Sequence, residues 1–178
     1  GYTAMLCVHA IIDHGVTPED GPILVTGAAG GVGSVAVMAL AGLGYEVAAA
    51  TGRPETTGYL KNLGASQIVA REDLARSSKP LEKEIWAGVV DAVGDKTLAT
   101  AIAQTKHEGI VVPCGLAGGF ALPATVMPLI LRGVTVRGIE SIQTKMGRRE
   151  RAWAELAELI DPRLVEIFAL AFIEIKKN

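Results

Sequence analysis

The stretch Ile23 to Val35, reading ILVTGAAGGVGSV, constrains the fold of this 178-residue chain more than any other. A short strand, Ile23 to Thr26, runs into Gly27, Gly30, Gly31 and Gly33, and an Ala-, Val-, Met- and Leu-rich helix follows from Ser34 to Leu43, closed by Gly44. Continuous apolar strands belong to parallel sheets covered on both faces. The glycines between strand and helix answer three physical demands: a tight turn with positive φ, close approach of the backbone to a phosphate, and close helix–strand packing. Amides at the helix start, near Gly31 to Gly33, then point at an anion with the helix dipole behind them. The segment therefore reads as a strand–turn–helix around the pyrophosphate of a dinucleotide, because a glycine pattern gains its meaning from this placement. A P-loop is excluded: no Lys-Ser or Lys-Thr pair follows the last glycine, and Ser34 comes directly after Gly33.

The rest of the chain alternates in the same way. Tyr2 to Asp13 has helical spacing of apolar residues and stops at Gly15 and Pro18. A second strand, Tyr45 to Ala50, leads into the turn Thr51-Gly52-Arg53-Pro54 and a helix from Glu55 to Leu63. Gln67 to Ala70 is a third strand, and the polar segment Arg71 to Trp86 is helical in parts, interrupted by Pro80. Strand four is Gly88 to Ala92, followed by a helix from Lys96 to Thr105; strand five is Gly109 to Cys114. A Gly/Pro-rich connection from Gly115 to Pro128 carries a short helix around Met127 to Leu131, and strand six is Val134 to Ile139. Arg148 to Ile160 is an amphipathic helix. Strands and helices repeating every 20 to 25 residues or so form βαβ units. The fold class expected is α/β: a doubly wound parallel (Rossmann) sheet of about six strands with helices on both faces. The dinucleotide-binding domain spans 1–160; the tail 161–178 is a helix followed by a strand, or neither.

An acid about 20 residues beyond the glycine turn receives the ribose 2′-hydroxyl in NAD-binding versions of this unit. Here that region holds Ala50, Thr51, Gly52 and Arg53, with no acid. A cation fits a 2′-phosphate that an acid would repel. The cofactor expected is NADP(H), with Arg53 as the main phosphate ligand, Thr51 as a hydroxyl donor, and Lys61 and Tyr59 as helpers.

Several segments together resemble a known family: GYTAMLCV (Gly1 to Val8), VTGAAGGVGSVAV (Val25 to Val37), YLKNLGAS (Tyr59 to Ser66), WAGVVDAVGD (Trp86 to Asp95), CGLAGGFALPATVMPLILRGV (Cys114 to Val134) and GIESI (Gly138 to Ile142). The chain resembles the medium-chain dehydrogenase/reductase superfamily, in its zinc-independent quinone-oxidoreductase-like branch with the NADPH-dependent acryloyl-CoA reductases. The resemblance covers most of residues 1 to 160. It implies an N-terminal GroES-like domain before Gly1, so the chain is expected to be the cofactor half of a longer protein, with the active site between the domains. It places Gly30, Gly31, Val32 and Gly33 on the pyrophosphate and Thr51, Gly52 and Arg53 on the adenosine ribose phosphate. Val93 and Gly94 fall at the ribose or nicotinamide side, Gly115 and Leu116 flank the nicotinamide, and Ser141 approaches it. The implied function is reduction of an activated alkene, acryloyl-CoA-like, by hydride addition at the β-carbon and protonation at the α-carbon. Alternatives are a quinone reductase on the same domain and a non-catalytic NADPH-binding or redox-sensing module. Pairing of sixth strands in the family implies a homodimer.

Other chemistry is tested by omission. The glycine turn also fits short-chain dehydrogenases, which need Tyr and Lys four residues apart; none of Tyr2, Tyr45 and Tyr59 has that lysine. Cys7, Cys114, His9, His14 and His107 lack zinc-ligand spacing, so no metal is expected. Both cysteines are expected to be inert packing residues in a reducing, cytoplasmic setting. His9 and His14 are expected on the helix surface or in packing, and His107 in a polar turn. A net charge of −2 argues against a nucleic-acid partner, and the apolar stretches are too short to span a membrane. The patch Lys145, Arg148, Arg149 and Arg151 reads either as a solvated helix start or as a contact for the phosphates of a CoA thioester. No catalytic residue is identified, which suits hydride transfer from a cofactor that the protein orients.

Overall fold

A computed structural model describes residues 1–159. Six strands form one parallel sheet in the order β3-β2-β1-β4-β5-β6. They are β1 (Ile23–Val25), β2 (Val47–Thr51), β3 (Gln67–Ala70), β4 (Trp86–Asp91), β5 (Thr105–Pro113) and β6 (Thr135–Val136). The helices are α1 (Tyr2–His14), α2 (Gly33–Gly42), α3 (Thr57–Asn62), α4 (Arg71–Leu74), α5 (Asp95–Ala103), α6 (Met127–Leu131) and α7 (Met146–Leu159).

Side-chain alternation along the strands splits the interior in two. Ile23, Val25, Val47, Ala49, Ile110 and Val112 face α1, α2 and α7, whereas Leu24, Ala48, Ala50 and Val111 face α4 and α5. The helices follow the burial demand of the face they cover. From Gly33 to Leu40 every residue of α2 is buried, so it reads as apolar all round, while α7 buries only Ala152 and Leu156. The doubly wound sheet expected from the sequence is the one observed.

Several boundaries moved for identifiable reasons. Strand β2 starts at Val47 because Tyr45 turns inward and donates its hydroxyl to Val16 O at 2.8 Å. Strand β5 starts at Thr105, but two steps along β4, Trp86 to Gly88, match five along β5, Thr105 to Ile110. Four residues, Lys106 to Gly109, thus stand against Ala87 alone and bulge out, with Glu108 at φ +57. His107 thus sits inside β5 rather than in a turn. Most of Arg71 to Trp86 is irregular, α4 being a single turn. β6 is only two residues long, yet Arg137 and Ile139 still donate backbone bonds to Val111 and Pro113 of β5. The tail 161–178, and Ile160 at the end of the expected last helix, lie outside the described residues.

Candidate cofactor cleft

Strand order reverses between β1 and β4, because the chain leaves the sheet centre in opposite directions from these two strands. Ligands of open parallel sheets bind in the crevice outside such a switch point. A cleft of about 710 Å³ opens there, over the carboxyl ends of β1, β2, β3, β4 and β5.

Its floor is the glycine turn. Gly27 has φ +57, a conformation that side chains disfavour. Gly33 is required by packing: a Cβ there would overlap Gly27 O and come within 2.7 Å of Ala28 Cα. Nothing lies within 4 Å of a Cβ built on Gly31, so no protein atom demands that glycine and the bare backbone faces the open cleft. Ser34 closes the turn, donating its hydroxyl to Gly30 O at 2.7 Å and its amide to the same oxygen at 2.9 Å.

The switch point is held by a latch that the sequence did not announce. Asp91, fully buried at the end of β4, accepts a hydrogen bond from Thr26 Oγ1 at 2.6 Å. That hydroxyl accepts in turn from Ala92 N at 3.1 Å, and Asp91 Oδ2 accepts from Gly94 N at 2.8 Å. Burial pushes the Asp91 carboxyl up, while the bonds from Thr26, Gly94 and Val93 oppose that shift. The latch joins the end of β1 to the turn that carries Val93 and Gly94 into the cleft. A buried polar residue ending an apolar strand was the available signal.

At the β2 end, Thr51 Oγ1 accepts from Arg53 N at 3.1 Å, and Arg53 Nη2 donates to Ala29 O at 3.1 Å. Arg53 therefore leans back over the glycine turn. Arg71, absent from the residues singled out in the sequence, lines the same wall, and its guanidinium occupies the space a Cβ on Gly52 would take. It follows β3, which pairs with β2, so the strand-end rule applied one strand further out would have found it. Thr51, Gly52, Arg53, Arg71, Leu74 and Ala75 form this wall, which carries no carboxylate.

At the opposite arm, Val93, Gly94, Gly115 and Leu116 line the cleft with Cys114. Cys114 Sγ donates to Asp91 O at 3.3 Å. Contact with the Cys7 thiol holds the Cys114 thiol below the ordinary cysteine value, and the same contact, with burial, raises Cys7 well above it. Cys114 is thus a cleft residue and not only the packed end of a strand.

Three expected residues stand elsewhere. Tyr59 packs half-buried against the core, and Lys61 is exposed on α3; neither lines the cleft. Ser141 lies beyond the short β6, in a loop whose turn is tied by Glu140, and its carbonyl accepts from Arg149 at 3.2 Å. His9 is buried against Glu155 at 2.6 Å, a packing role, and His14 bonds Glu108 O at 2.9 Å. Among the described residues no group of three or more His, Cys, Asp or Glu could hold a metal ion.

Comparison with known proteins gives this geometry relatives. The model of a family described as zinc-binding dehydrogenase matches residues 31–161. Acrylyl-CoA reductase AcuI of Ruegeria pomeroyi is 60% identical over 158 residues, 88% of this chain and 48% of that protein. The YhdH oxidoreductase of Salmonella enterica, solved in complex with NADP, is 55% identical with a TM-score of 0.89, covering 92% of this chain and 50% of that one. Bacillus subtilis YhfP, solved with NAD bound, is 45% identical with a TM-score of 0.88, covering 93% of this chain and 51% of that one. The chain spans about half the length of the relatives it matches.

Proposed function

The chain belongs to the zinc-binding dehydrogenase family, within the medium-chain dehydrogenase/reductases, and on that premise we propose that it is the NADP(H)-binding half of a reductase of activated alkenes, acryloyl-CoA-like thioesters foremost. The observation that carries the cofactor choice is the pair Arg53 and Arg71 on a cleft wall with no carboxylate. The fold alone does not choose, since YhfP carries NAD on the same architecture. Two guanidiniums beside the Thr51 hydroxyl suit a 2′-phosphate, and an acid at this wall would suit a free ribose.

When bound, the dinucleotide supplies the hydride. The residues of the chain bind and orient it. Backbone amides at the start of α2 meet the pyrophosphate over the bare Gly31. Val93, Gly94, Gly115 and Leu116 shape the nicotinamide arm. Leu116 is 66% exposed and Phe120, on the same loop, 93% exposed, an apolar rim for the face from which substrate enters. In this reading a second domain closes that face, which accords with relatives about twice as long. Zinc appears in the family's description, but the described residues offer no ligand cluster, and the reaction proposed needs none. Two copies would pair through the open edge of β6, the last strand of the sheet.

Titration with NADPH and NADH tests the cofactor reading. NADPH should bind more tightly, and Arg53→Glu should weaken NADPH by about tenfold or more, one charge-assisted hydrogen bond, without weakening NADH. Equal affinities, or an unchanged NADPH affinity in Arg53→Glu, would refute it. NADPH oxidation with acryloyl-CoA against a benzoquinone, in the two-domain protein, tests the substrate class. Faster turnover of the quinone would favour a quinone reductase.

A further inference from the structure

The structure sorts the basic patch at the start of α7 into two kinds of residue. Arg149 lies over the Tyr2 ring, 4.7 Å from its centroid, and Arg151 pairs with Asp13 at 3.1 Å and Glu155 at 2.9 Å. These two fasten α7 to α1. Lys145 and Arg148 are different. Together with Arg137, which follows β6, they line a separate cavity of about 390 Å³ floored by Leu6 and Ile139. Among the described residues none of the three makes a salt bridge or a side-chain hydrogen bond. The one acid in the cavity, Glu140, spends its oxygens on the backbone amides of Ile142 and Gln143. Gln143 and Thr144 add neutral polar groups. The first turn of α7 holds no acid, so Lys145 and Arg148 stand uncompensated at the positive end of a helix dipole. Three like charges gathered from two elements repel one another, and an anion between them removes that repulsion. The cavity shares no lining residue with the cofactor cleft.

We propose that Arg137, Lys145 and Arg148 bind a phosphate group of the substrate's carrier, the 3′-phosphate or diphosphate of a coenzyme A thioester. This rests on the thioester reading given above, which supplies the phosphorylated tail. Two guanidiniums offer paired donors to phosphate oxygens, and Lys145 adds a third charge. The cavity volume is at the lower end for ligand sites, about 300–1,000 Å³, which suits one end of a long substrate and not the whole of it.

The test is calorimetric titration of the chain with coenzyme A, dephospho-coenzyme A and inorganic phosphate, with and without saturating NADPH. Arg137→Glu and Arg148→Glu should each weaken coenzyme A by about tenfold or more, the loss of one charge-assisted bond. NADPH affinity should stay within about twofold, as for independent sites. The Arg148→Glu protein should melt no lower than wild type, because an acid suits the first turn of a helix. Unchanged coenzyme A affinity in both variants would overturn the proposal. So would inorganic phosphate binding as tightly as coenzyme A, which would leave a bare anion site. Failure of NADPH to bind would instead overturn the cofactor reading, and the arm without NADPH would still judge the anion site.

Discussion

Gly52→Ala separates binding from stability at the cofactor wall. Gly52 has no left-handed φ, so alanine fits its backbone, and the substitution removes freedom from the unfolded chain, worth about 0.4–1 kcal/mol in favour of the fold. The new Cβ would overlap the Arg71 guanidinium, the far end of a flexible side chain that can swing away at little cost. Arg71 would then leave the position from which it reaches the cleft. One charge-assisted hydrogen bond is worth about 1.5–3 kcal/mol, or roughly 10- to 100-fold in affinity. The expected result is therefore of opposite sign in two measurements: a melting temperature equal to or above wild type, and NADPH binding weaker by at least about tenfold. NADH, which lacks the phosphate, should bind as before. Fluorescence titration of both cofactors, alongside thermal melts, gives all three numbers. Unchanged NADPH affinity would show that Arg71 has no part in holding the 2′-phosphate, and equal losses for NADH and NADPH would show that Gly52 acts on the backbone instead.

The other expectations concern the latch, the thiols and acid stability. Asp91→Asn keeps the acceptor for Thr26 but turns an amide donor toward Gly94 N, stranding a buried pair at about 1–3 kcal/mol; a urea midpoint equal to wild type would refute the latch. Maleimide should label Cys114 before Cys7, since its thiol is the more acidic and the more exposed, and NADPH should slow that labelling; indifference to NADPH would place the cofactor elsewhere. Glu82 is held at about 2, against an ordinary 4.5, by its hydrogen bonds from Arg76, with Gln104 and the Lys79 amide adding to them. A depressed carboxylate stabilises the fold above its unfolded value and loses that contribution as pH falls through the folded one. Urea titrations at several pH values between 4.5 and about 2 should show a steeper loss for wild type than for Glu82→Gln, and parallel curves would contradict the assignment.

The sheet was legible because its strands are short apolar runs punctuated by glycine, and alternation with helices leaves few topologies. Local bonding hid the boundaries: nothing in the sequence betrays that Tyr45 turns inward or that Lys106 to Gly109 bulge from β5. Glycines 30, 31 and 33 were readable as a group since Gly30 and Gly33 pack on Gly27 a few residues away and Gly31 stands between them on the open cleft. Arg71 was not, because its neighbour Gly52 lies on a different strand and only the β2–β3 pairing unites them. The same holds for Asp91, whose partner Thr26 is 65 residues away. Tyr59 and Lys61 looked useful by proximity in sequence to Arg53, but a helical turn carried them off the wall.

The latch between Thr26 and Asp91 has a bearing on redesign. It fixes the middle of the cleft from beneath, tying Thr26 at the end of β1 to Asp91 and Gly94 on the side away from the arginine wall. Arg53 on the wall bonds Ala29 O and Thr51 Oγ1, whereas Cys114 on the rim bonds Asp91 O, so the two share no hydrogen-bond partner. Changes at sites without shared partners add independently. Cofactor preference in such a protein is a separable trait: the wall can be rewritten for a different nucleotide while the reacting end keeps its shape.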